Sequence, residues 1–240
     1  MADTYLRQTP LAHLHLDARA ANEAADPATG VHIGERPLLG MINLRGQRTN
    51  TTFCSAVIKV VGAALPKVNE TSGKPEGVHI LGLGPDEWLI ITPTGEEANL
   101  EANLKRAVAD YHAAVTLTGE AMTVIRLTGA NACDVLAKGC SVDLHPRVFC
   151  PGQCAQTTLA RADMTMHMTA DNAYDIIVRR SFAEYVWTWL EDAARAWESG
   201  AATEWRREAG TGEPSLVAPT RQCSTVCAAG HAHASIERPT

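Results

Sequence analysis

The sequence lacks several features that would assign its function class directly. No apolar run approaches the roughly 18 residues that a membrane-spanning helix needs, and the N-terminus lacks the basic-then-apolar pattern of a signal peptide. The formal net charge is −6, whereas a nucleic-acid-binding protein needs a basic face. These absences predict a soluble, cytoplasmic protein that binds neither a membrane nor a nucleic acid.

Common catalytic and nucleotide-binding motifs are absent as well. The sequence contains no phosphate-binding loop, no Gly-x-Ser-x-Gly nucleophile motif and no His-Glu-x-x-His zinc motif. Gly82 and Gly84 have the spacing of a dinucleotide fingerprint, but they lead into a Pro85-Asp86 turn and not into a helix N-terminus. We therefore expect no flavin, NAD or other cofactor on this chain.

The cysteines offer only weak metal sites. Seven cysteines are spread over the chain, and in a reducing cytosol an odd, scattered set predicts free thiols. The pair His13-x-His15 has no third ligand nearby. Cys150 and Cys154 have an allowed spacing, with Cys140 and His145 close in sequence, but no second pair completes a site. The better candidates by composition lie in the C-terminal tail: Cys223, Cys227, His231 and His233.

Composition and periodicity divide the chain into three parts. Hydrophobic residues make up 45% of 240 residues, which is enough for a packed core. We predict an N-terminal arm over 1–36, a two-lobed α+β domain over 37–200 and an irregular tail over 201–240. The lobes divide at about residue 118, and the tail is rich in Gly, Pro, Ser and Thr without apolar periodicity.

The first lobe shows alternating strand and helix patterns. Helices are predicted after Thr52 and after a capping box formed by Thr94 and Glu97, and strands over 38–44, 78–83, 87–92 and 114–117. The order is βαββαβ, a split unit with both helices on one face of an antiparallel sheet. A second, looser pass predicts strands over 122–127, 156–160, 164–168 and 174–178, with helices over 131–138 and after Ser181.

The last helix has the clearest local signal. Ser181 and Glu184 have the spacing of a capping box. One apolar face is predicted from residues at helical spacing: Phe182, Tyr185, Val186, Trp189, Leu190 and Ala193. Trp187 lies off that face, so we expect Trp189 to be buried and Trp187 to be exposed.

Exposed aromatic and arginine residues would favour an interface with another protein. Asp86 and Glu87 could serve as an acid–base pair, but turn chemistry alone explains them. Arg147, Arg179 and Arg180 could bind an anion, although pairing across a subunit interface is the favoured interpretation. The predicted interface residues are Trp88, His145, Arg147, Arg179, Arg180 and Trp187.

Several separated motifs, in the right order, resemble one known family. The segments are LGLGPDEWLI (81–90), KGCSVDLHPRVF (138–149), CAQTTLA (154–160) and RRSFAEYVWTWLEDA (179–193). GMINLRG (40–46) and AHLHLDARAA (12–21) are similar to its N-terminal part. The chain resembles the gamma subunit of heterotetrameric sarcosine oxidase over roughly residues 10–198.

The resemblance implies a chain without catalytic residues in a four-subunit enzyme that demethylates sarcosine oxidatively, with folate as one-carbon acceptor. It implies an alpha subunit with NAD and a tetrahydrofolate site, a beta subunit with FAD and covalent FMN, and a delta subunit with zinc. The gamma chain would dock chiefly on alpha, with a fold similar to the folate-binding fold of aminomethyltransferases. Two alternatives remain: a subunit of a related N-methyl amino acid oxidase or demethylase, and a stand-alone folate-binding protein similar to an aminomethyltransferase.

Overall fold

The computed structural model describes residues 7–16 and 30–198. Its first half contains, after a leading strand, two helices and five strands: β1 (His32–Arg36), β2 (Gly40–Arg45), α1 (Thr51–Val61), β3 (Thr71–Gly73), β4 (His79–Gly82), β5 (Glu87–Thr92), α2 (Glu97–Ala107) and β6 (Ala114–Leu117). The second half contains β7 (Met122–Thr128), α3 (Ala132–Ala137), β8 (Cys154–Leu159), β9 (Ala162–Ala170), β10 (Ala173–Arg179) and α4 (Ala183–Glu198).

The strands form two antiparallel sheets with matching layouts. The first sheet has the order β3-β4-β5-β2-β6, and the second has the order β1-β7-β10-β9-β8. In the first sheet β2 lies between β6 and the β4–β5 hairpin, and in the second sheet β7 lies between β1 and the β9–β10 hairpin. The predicted α+β fold with two βαββαβ-like halves is therefore confirmed.

Strand β1 corrects the predicted N-terminal arm. His32–Arg36 pairs along its whole length with β7, with Ile33 opposite Leu127. In the second sheet it occupies the place that β6 occupies beside β2 in the first sheet. A short strand interrupted by Gly34 carries little periodic signal, because only its pairing with β7 stabilises it. The second half is thus completed by a strand that precedes the first half in sequence.

The two sheets pack face to face, with helices on both outer surfaces. On β2, Ile42 and Leu44 contact α1 and α2, whereas Met41 faces the second sheet. On β10, Ile176 joins the core under α3 and α4, whereas Ile177 faces the first sheet. Because successive side chains on a strand point to opposite faces, central strands buried on both faces have near-continuous apolar sequences, such as WLII in β5.

The segment 7–16 ties the halves together. Leu11 is fully buried in the core beneath α4. Arg7 forms ion pairs with Glu97 at the start of α2 (3.1 Å) and with Glu120 (2.8 Å). Arg180 donates a hydrogen bond to the carbonyl of Gln8 at 2.7 Å. The segment therefore connects the core of the second half with α2 in the first half.

The helix caps differ from the predicted ones. Asn50, not Thr52, caps α1, because its side-chain oxygen accepts hydrogen bonds from the backbone N–H groups of Thr52 and Phe53, both at 3.1 Å. The Thr94–Glu97 capping box is wrong, since Glu96 is the N-cap residue and Glu97 instead accepts from the Gly95 N–H. Ser181 lies inside a 3-10 turn that precedes α4.

The predicted phase of α4 is wrong in part. Its buried side is formed by Ala183, Val186, Trp187, Leu190, Ala193 and Ala194, so the prediction is correct for Val186, Leu190 and Ala193 and wrong for the aromatic residues. Trp187 is 3% exposed, whereas Phe182 and Tyr185 are 39% and 40% exposed. Trp189 is half-buried beside Gly139, where an added Cβ would lie 2.4 Å from its ring. The helix carries two apolar stripes at helical spacing, and only packing on the sheet selects between them.

Trp88 is in the core and not on the surface of the hairpin. Its side chain is fully buried, its Nε1 donates to the Pro66 carbonyl at 3.1 Å, and its ring centroid lies 6.3 Å from that of Phe53. Strand β5 begins at Glu87, so alternation turns the next side chain towards α1. The premise that Trp88 and Trp187 form an exposed surface is therefore wrong.

Other predictions concern the thiols, the tail and membranes. The described cysteines Cys54, Cys140 and Cys154 are free thiols, as predicted. The tail candidates Cys223, Cys227, His231 and His233 lie outside the described residues. Among residues 7–16 and 30–198, no helix has the length and apolar character that spanning a bilayer requires.

We predict that Trp187→Ala lowers the free energy of unfolding by about 3–5 kcal/mol, the usual cost of truncating a buried large aromatic side chain. Tyr185→Ala, two positions away on the exposed side, should change it by less than about 1 kcal/mol. Urea denaturation of the isolated chain measures both. Equal shifts in the two midpoints would contradict the observed phase of α4.

Candidate functional site

A row of polar residues crosses the inner face of the second sheet. Asp175 on β10 pairs in register with Arg126 on β7 on one side and with His167 on β9 on the other. His167 in turn pairs with Cys154 on β8. From the first sheet, the ring of His79 lies 5.4 Å from that of His167, measured between centroids. All of these side chains therefore lie in the space between the two sheets.

Asp175 is the centre of a buried ion network. Arg126 donates from Nε to one carboxylate oxygen at 2.8 Å, and Arg36 donates to the other at 2.6 Å. Both guanidinium groups also contact Glu76, at 3.2 and 3.5 Å, and Arg36 donates to the Pro75 carbonyl at 3.1 Å. Since Glu76 and Pro75 precede β4, the network joins the two halves of the protein.

The charges in this network fix the ionisation of Asp175. Burial by itself would raise the pKa of the carboxyl group, but the hydrogen bonds and charges of Arg126 and Arg36 outweigh it and lower that pKa. The same contacts raise the pKa of Arg126 despite its partial burial. A carboxylate saturated by two guanidinium groups serves as a structural anchor and is a poor proton acceptor.

The two histidines are neutral and enclosed. Each is 1% exposed, and burial lowers the pKa of both, that of His167 to about 4. Nδ1 of His79 lies 3.0 Å from the Gly77 carbonyl. Nε2 of His79 and Nδ1 of His167 have no hydrogen-bond partner among the described residues. Neutral rings are favoured because a buried imidazolium would lose its hydration without gaining a bound anion.

Cys154 has the properties of a structural thiol. Burial raises the pKa of its thiol to about 12, and its Sγ donates to the carbonyls of Glu70 and Gly82 at 3.5 and 3.7 Å. The thiolate needed for nucleophilic attack or metal binding is therefore not populated.

Cys150 and Cys154, which the sequence offered only as a weak metal-site candidate, do not face each other as ligands. Cys150 Sγ donates to the Pro146 carbonyl, away from Cys154, and no group of three or more His, Cys, Asp or Glu side chains in the described part could hold a metal ion. His13, from the other weak candidate pair, lies 3.8 Å from Glu184.

The other predicted interface residues occupy separate places. His145 and Arg147 are exposed in the turn after α3, where the Arg147 N–H donates to the His145 ring at 3.2 Å. Arg180 contacts the N-terminal segment, and Arg179 points into a cleft between the sheets. The structure therefore does not gather them around Trp187.

The cleft between the sheets was not predicted from the sequence. It has a volume of about 630 Å³ and opens at the end of β9 and β10 that is remote from Asp175. Residues of both sheets and of the β6–β7 connection line it, among them Asn43, Glu87, Leu89, Met122, Gln156, Thr158, Asp163, Thr165, Ile177 and Arg179. Glu87 is held by Asn43 (2.8 Å) and Arg45 (2.6 Å), so it is a paired carboxylate and not half of an acid–base pair.

Stability should fall as the pH falls from about 6.5 to about 4. In this window the unfolded chain protonates His79 and His167 at their ordinary pKa, about 6.5, whereas the folded chain holds both pKa values lower. The unfolded state therefore binds more protons, and acid favours it. Below this range the lowered pKa of Asp175 adds a further loss.

His167→Asn should flatten this slope by up to about 1.4 kcal/mol per pH unit, the contribution of one proton. His112→Asn, at an exposed position, is the control and should leave it unchanged. Urea unfolding at a series of pH values measures the slope. A slope that His167→Asn does not alter would contradict the neutral buried pair.

Asp175→Asn should lower the free energy of unfolding by about 3–5 kcal/mol, because it leaves two inward-facing guanidinium groups without their shared anion. Glu76→Gln is the matched control, since its side chain is 76% exposed, and should cost less than about 1 kcal/mol. Thermal and urea unfolding compare the two. A larger loss for Glu76→Gln would place the anchor in the loop and not in β10.

Comparison with known proteins identifies the family. Residues 45–196 match the model of the sarcosine oxidase, gamma subunit family. The chain is 35% identical over 191 residues to the sarcosine oxidase subunit gamma of Corynebacterium sp. (strain P-1), covering 79% of this chain and 91% of that one. It is 32% identical over 191 residues to the corresponding subunit from Arthrobacter sp., with the same shares covered.

Solved structures give the same picture. A heterotetrameric sarcosine oxidase from Corynebacterium sp. U-96 in complex with pyrrole 2-carboxylate matches with a TM-score of 0.73 and 31% identity, covering 80% of this chain and 97% of that one. The glycine cleavage system aminomethyltransferase T from Bartonella henselae matches with a TM-score of 0.59 and 13% identity, covering 77% and 57%, which shows a shared fold. Together these matches show that the chain belongs to the sarcosine oxidase gamma subunit family.

Proposed function

We propose that this chain is the gamma subunit of a heterotetrameric sarcosine oxidase and that it serves assembly rather than chemistry. One observation carries the proposal: the likeness to gamma subunits covers most of the two-sheet body, and the ionisable groups of the buried cluster around Asp175 are sealed or already paired. A subunit of this kind contributes surface and shape to the complex.

The interior supports a role without catalysis. Catalysis by a side chain requires a nucleophile and a base in contact, with access for a substrate. Cys154 is protonated and buried, His79 and His167 are 1% exposed, and Asp175 is saturated by arginines. Opening this cluster would break the contact between the sheets.

The proposed complex follows from the family. In it, an alpha subunit carries NAD and tetrahydrofolate, a beta subunit carries FAD and FMN and oxidises the N-methyl group of sarcosine, and a delta subunit carries zinc. Folate accepts the one-carbon unit. The gamma chain carries none of these groups and docks chiefly on alpha, in the cytoplasm.

The surface of α4 offers a docking site. Phe182, in the turn just before α4, and Tyr185, in its first turn, are 39% and 40% exposed. Val148, 56% exposed, follows the exposed Arg147 in the turn after α3. Aromatic and arginine side chains are enriched at interface centres. Phe182 and Tyr185 therefore take the role first given to the buried Trp187.

The two alternative functions make different demands. A subunit of a related N-methyl amino acid oxidase would use the same docking surface with another substrate on its partner. A stand-alone folate-binding protein is favoured by the aminomethyltransferase-like fold and by a cleft that contains carboxylates.

Co-expression with the companion subunits separates these functions. We expect all four chains to co-purify and to oxidise sarcosine, and the gamma chain alone to show neither oxidation of sarcosine nor binding of tetrahydrofolate. Calorimetry with tetrahydrofolate provides the second measurement. A stable lone chain that binds folate and fails to join the complex would overturn the proposal.

Replacing Phe182, Tyr185 and Arg147 together by alanine should weaken assembly by roughly tenfold or more, since the loss of exposed hot-spot side chains costs more than about 1.4 kcal/mol. The matched control is Ile58→Ala, which removes an equally exposed apolar side chain from α1 (40%). Analytical ultracentrifugation of the mixed subunits measures assembly, and circular dichroism checks folding. Intact assembly of the triple variant would contradict the proposed surface.

A further inference from the structure

The cleft between the sheets contains an arrangement that the assembly role does not use. The register places Thr158, Asp163, Arg179 and Met122 in one row across four neighbouring strands. Thr158 pairs with Asp163, and Arg179 pairs with Met122. Val178 pairs with Met164, which places the next residue, Arg179, beside Asp163. Asp163 and Arg179 are therefore neighbours on adjacent strands, with their side chains on the same face of the sheet. All four members of the row, Thr158, Asp163, Arg179 and Met122, line the cleft.

The two charged side chains of this row are not paired with other side chains in the described part of the chain. Neither Asp163 nor Arg179 forms a hydrogen bond or an ion pair within the described part of the chain, although opposite charges at neighbouring positions usually attract each other. Every other charged group that lines the cleft is bound, since Glu87 is held by Asn43 and Arg45. One carboxylate and one guanidinium group thus remain available side by side.

The floor of the cleft is apolar. Ile177 is fully buried and Leu89 is 5% exposed; they come from the two facing sheets, and Met122 lies beside them. Hydroxyl and amide groups from Thr165 and Gln156 border this floor. The volume of about 630 Å³ falls within the range of small-molecule sites, roughly 300–1,000 Å³, and an apolar lining with a few convergent polar groups is typical of them.

We propose that this cleft binds a free α-amino acid with an apolar side chain. The planar guanidinium of Arg179 takes the carboxylate of the ligand, and Asp163 takes its ammonium group. The side chain of the ligand lies on Ile177, Leu89 and Met122. A zwitterion fits because it presents one cationic and one anionic group together, and the cleft presents one carboxylate and one guanidinium group on neighbouring strands.

Other ligand classes fit this set of groups less well. A simple anion would leave Asp163 facing it, and a simple cation would leave Arg179 facing it, so each would gain one attraction and one repulsion. A purely apolar ligand would remove water from both charges without compensation. The inference rests on the geometry of the cleft and does not require the assembly role.

The test is a titration of the full chain with L-leucine, followed by calorimetry and by amide chemical shifts. We expect saturable binding, with shifts concentrated on β9, β10 and the β6–β7 connection. Arg179→Gln and Asp163→Asn should each weaken binding at least about tenfold, which is the loss of one charge-assisted contact. Arg161→Gln and Asp171→Asn, which alter exposed charges in the turns of the same sheet, are the matched controls and should bind normally.

Ligands with one charge assign each contact. 4-Methylpentanoate lacks the ammonium group, so it should bind weakly to the parent chain and more tightly to Asp163→Asn, which removes the repelling carboxylate. 3-Methylbutylamine lacks the carboxylate, so it should likewise bind more tightly to Arg179→Gln than to the parent chain. Absence of saturation with leucine at millimolar concentration, or equal losses in the control variants, would overturn the proposal.

A protein occupant of the cleft gives a different result. If Asp163→Asn and Arg179→Gln block assembly with the companion subunits and leave leucine binding unaltered, the cleft is a docking surface for a partner and the amino-acid site is refuted. If assembly is normal and leucine binding is lost in the two variants only, the site is established independently of the docking role. If the variant with Phe182, Tyr185 and Arg147 replaced by alanine assembles normally, this result contradicts the proposed function and not the amino-acid site.

Discussion

The structure depends on one buried carboxylate. Asp175 lies between the two sheets, and its ionised form is held by Arg126 from the neighbouring strand and Arg36 from β1. The same arginines reach Glu76 and the Pro75 carbonyl in the first half. A buried charge is tolerated only where its hydrogen bonds are satisfied. This requirement fixes the position of β1, the register of β10 and the orientation of one half against the other.

The position of β1 makes the halves interdependent. Each sheet has the same layout, but the last strand of the second half is contributed from before the first half. Neither half can therefore be separated from the other by a single cut in the chain. Face-to-face packing then closes one end of the space around the charged network and leaves the other end open as a cleft. The proposed assembly surface and the cleft thus lie on different parts of the protein.

Local sequence patterns predicted most of the elements, because each depends on neighbouring residues alone. Strand β6 follows the predicted limits, and β5 has the predicted range. The cleft and the charged row were beyond such reasoning, because Asp163, Arg179 and Asp175 meet their neighbours only through strand pairing. The family resemblance was carried by separated motifs, and the comparisons confirm it.

The sequence by itself determined the fold class and most of the order of elements, since alternation, helical spacing and turn residues are local properties, and its separated motifs determined the family. The tertiary structure alone decided which of two apolar stripes on α4 is buried: Trp187, expected to be exposed, is buried, and Trp189, expected to be buried, is half-buried. Both stripes satisfy helical spacing, so no local rule distinguishes them. The sheet surface accepts the stripe that contains Trp187 and leaves Phe182 and Tyr185 in solvent, because burial depends on the partner surface as well as on the helix.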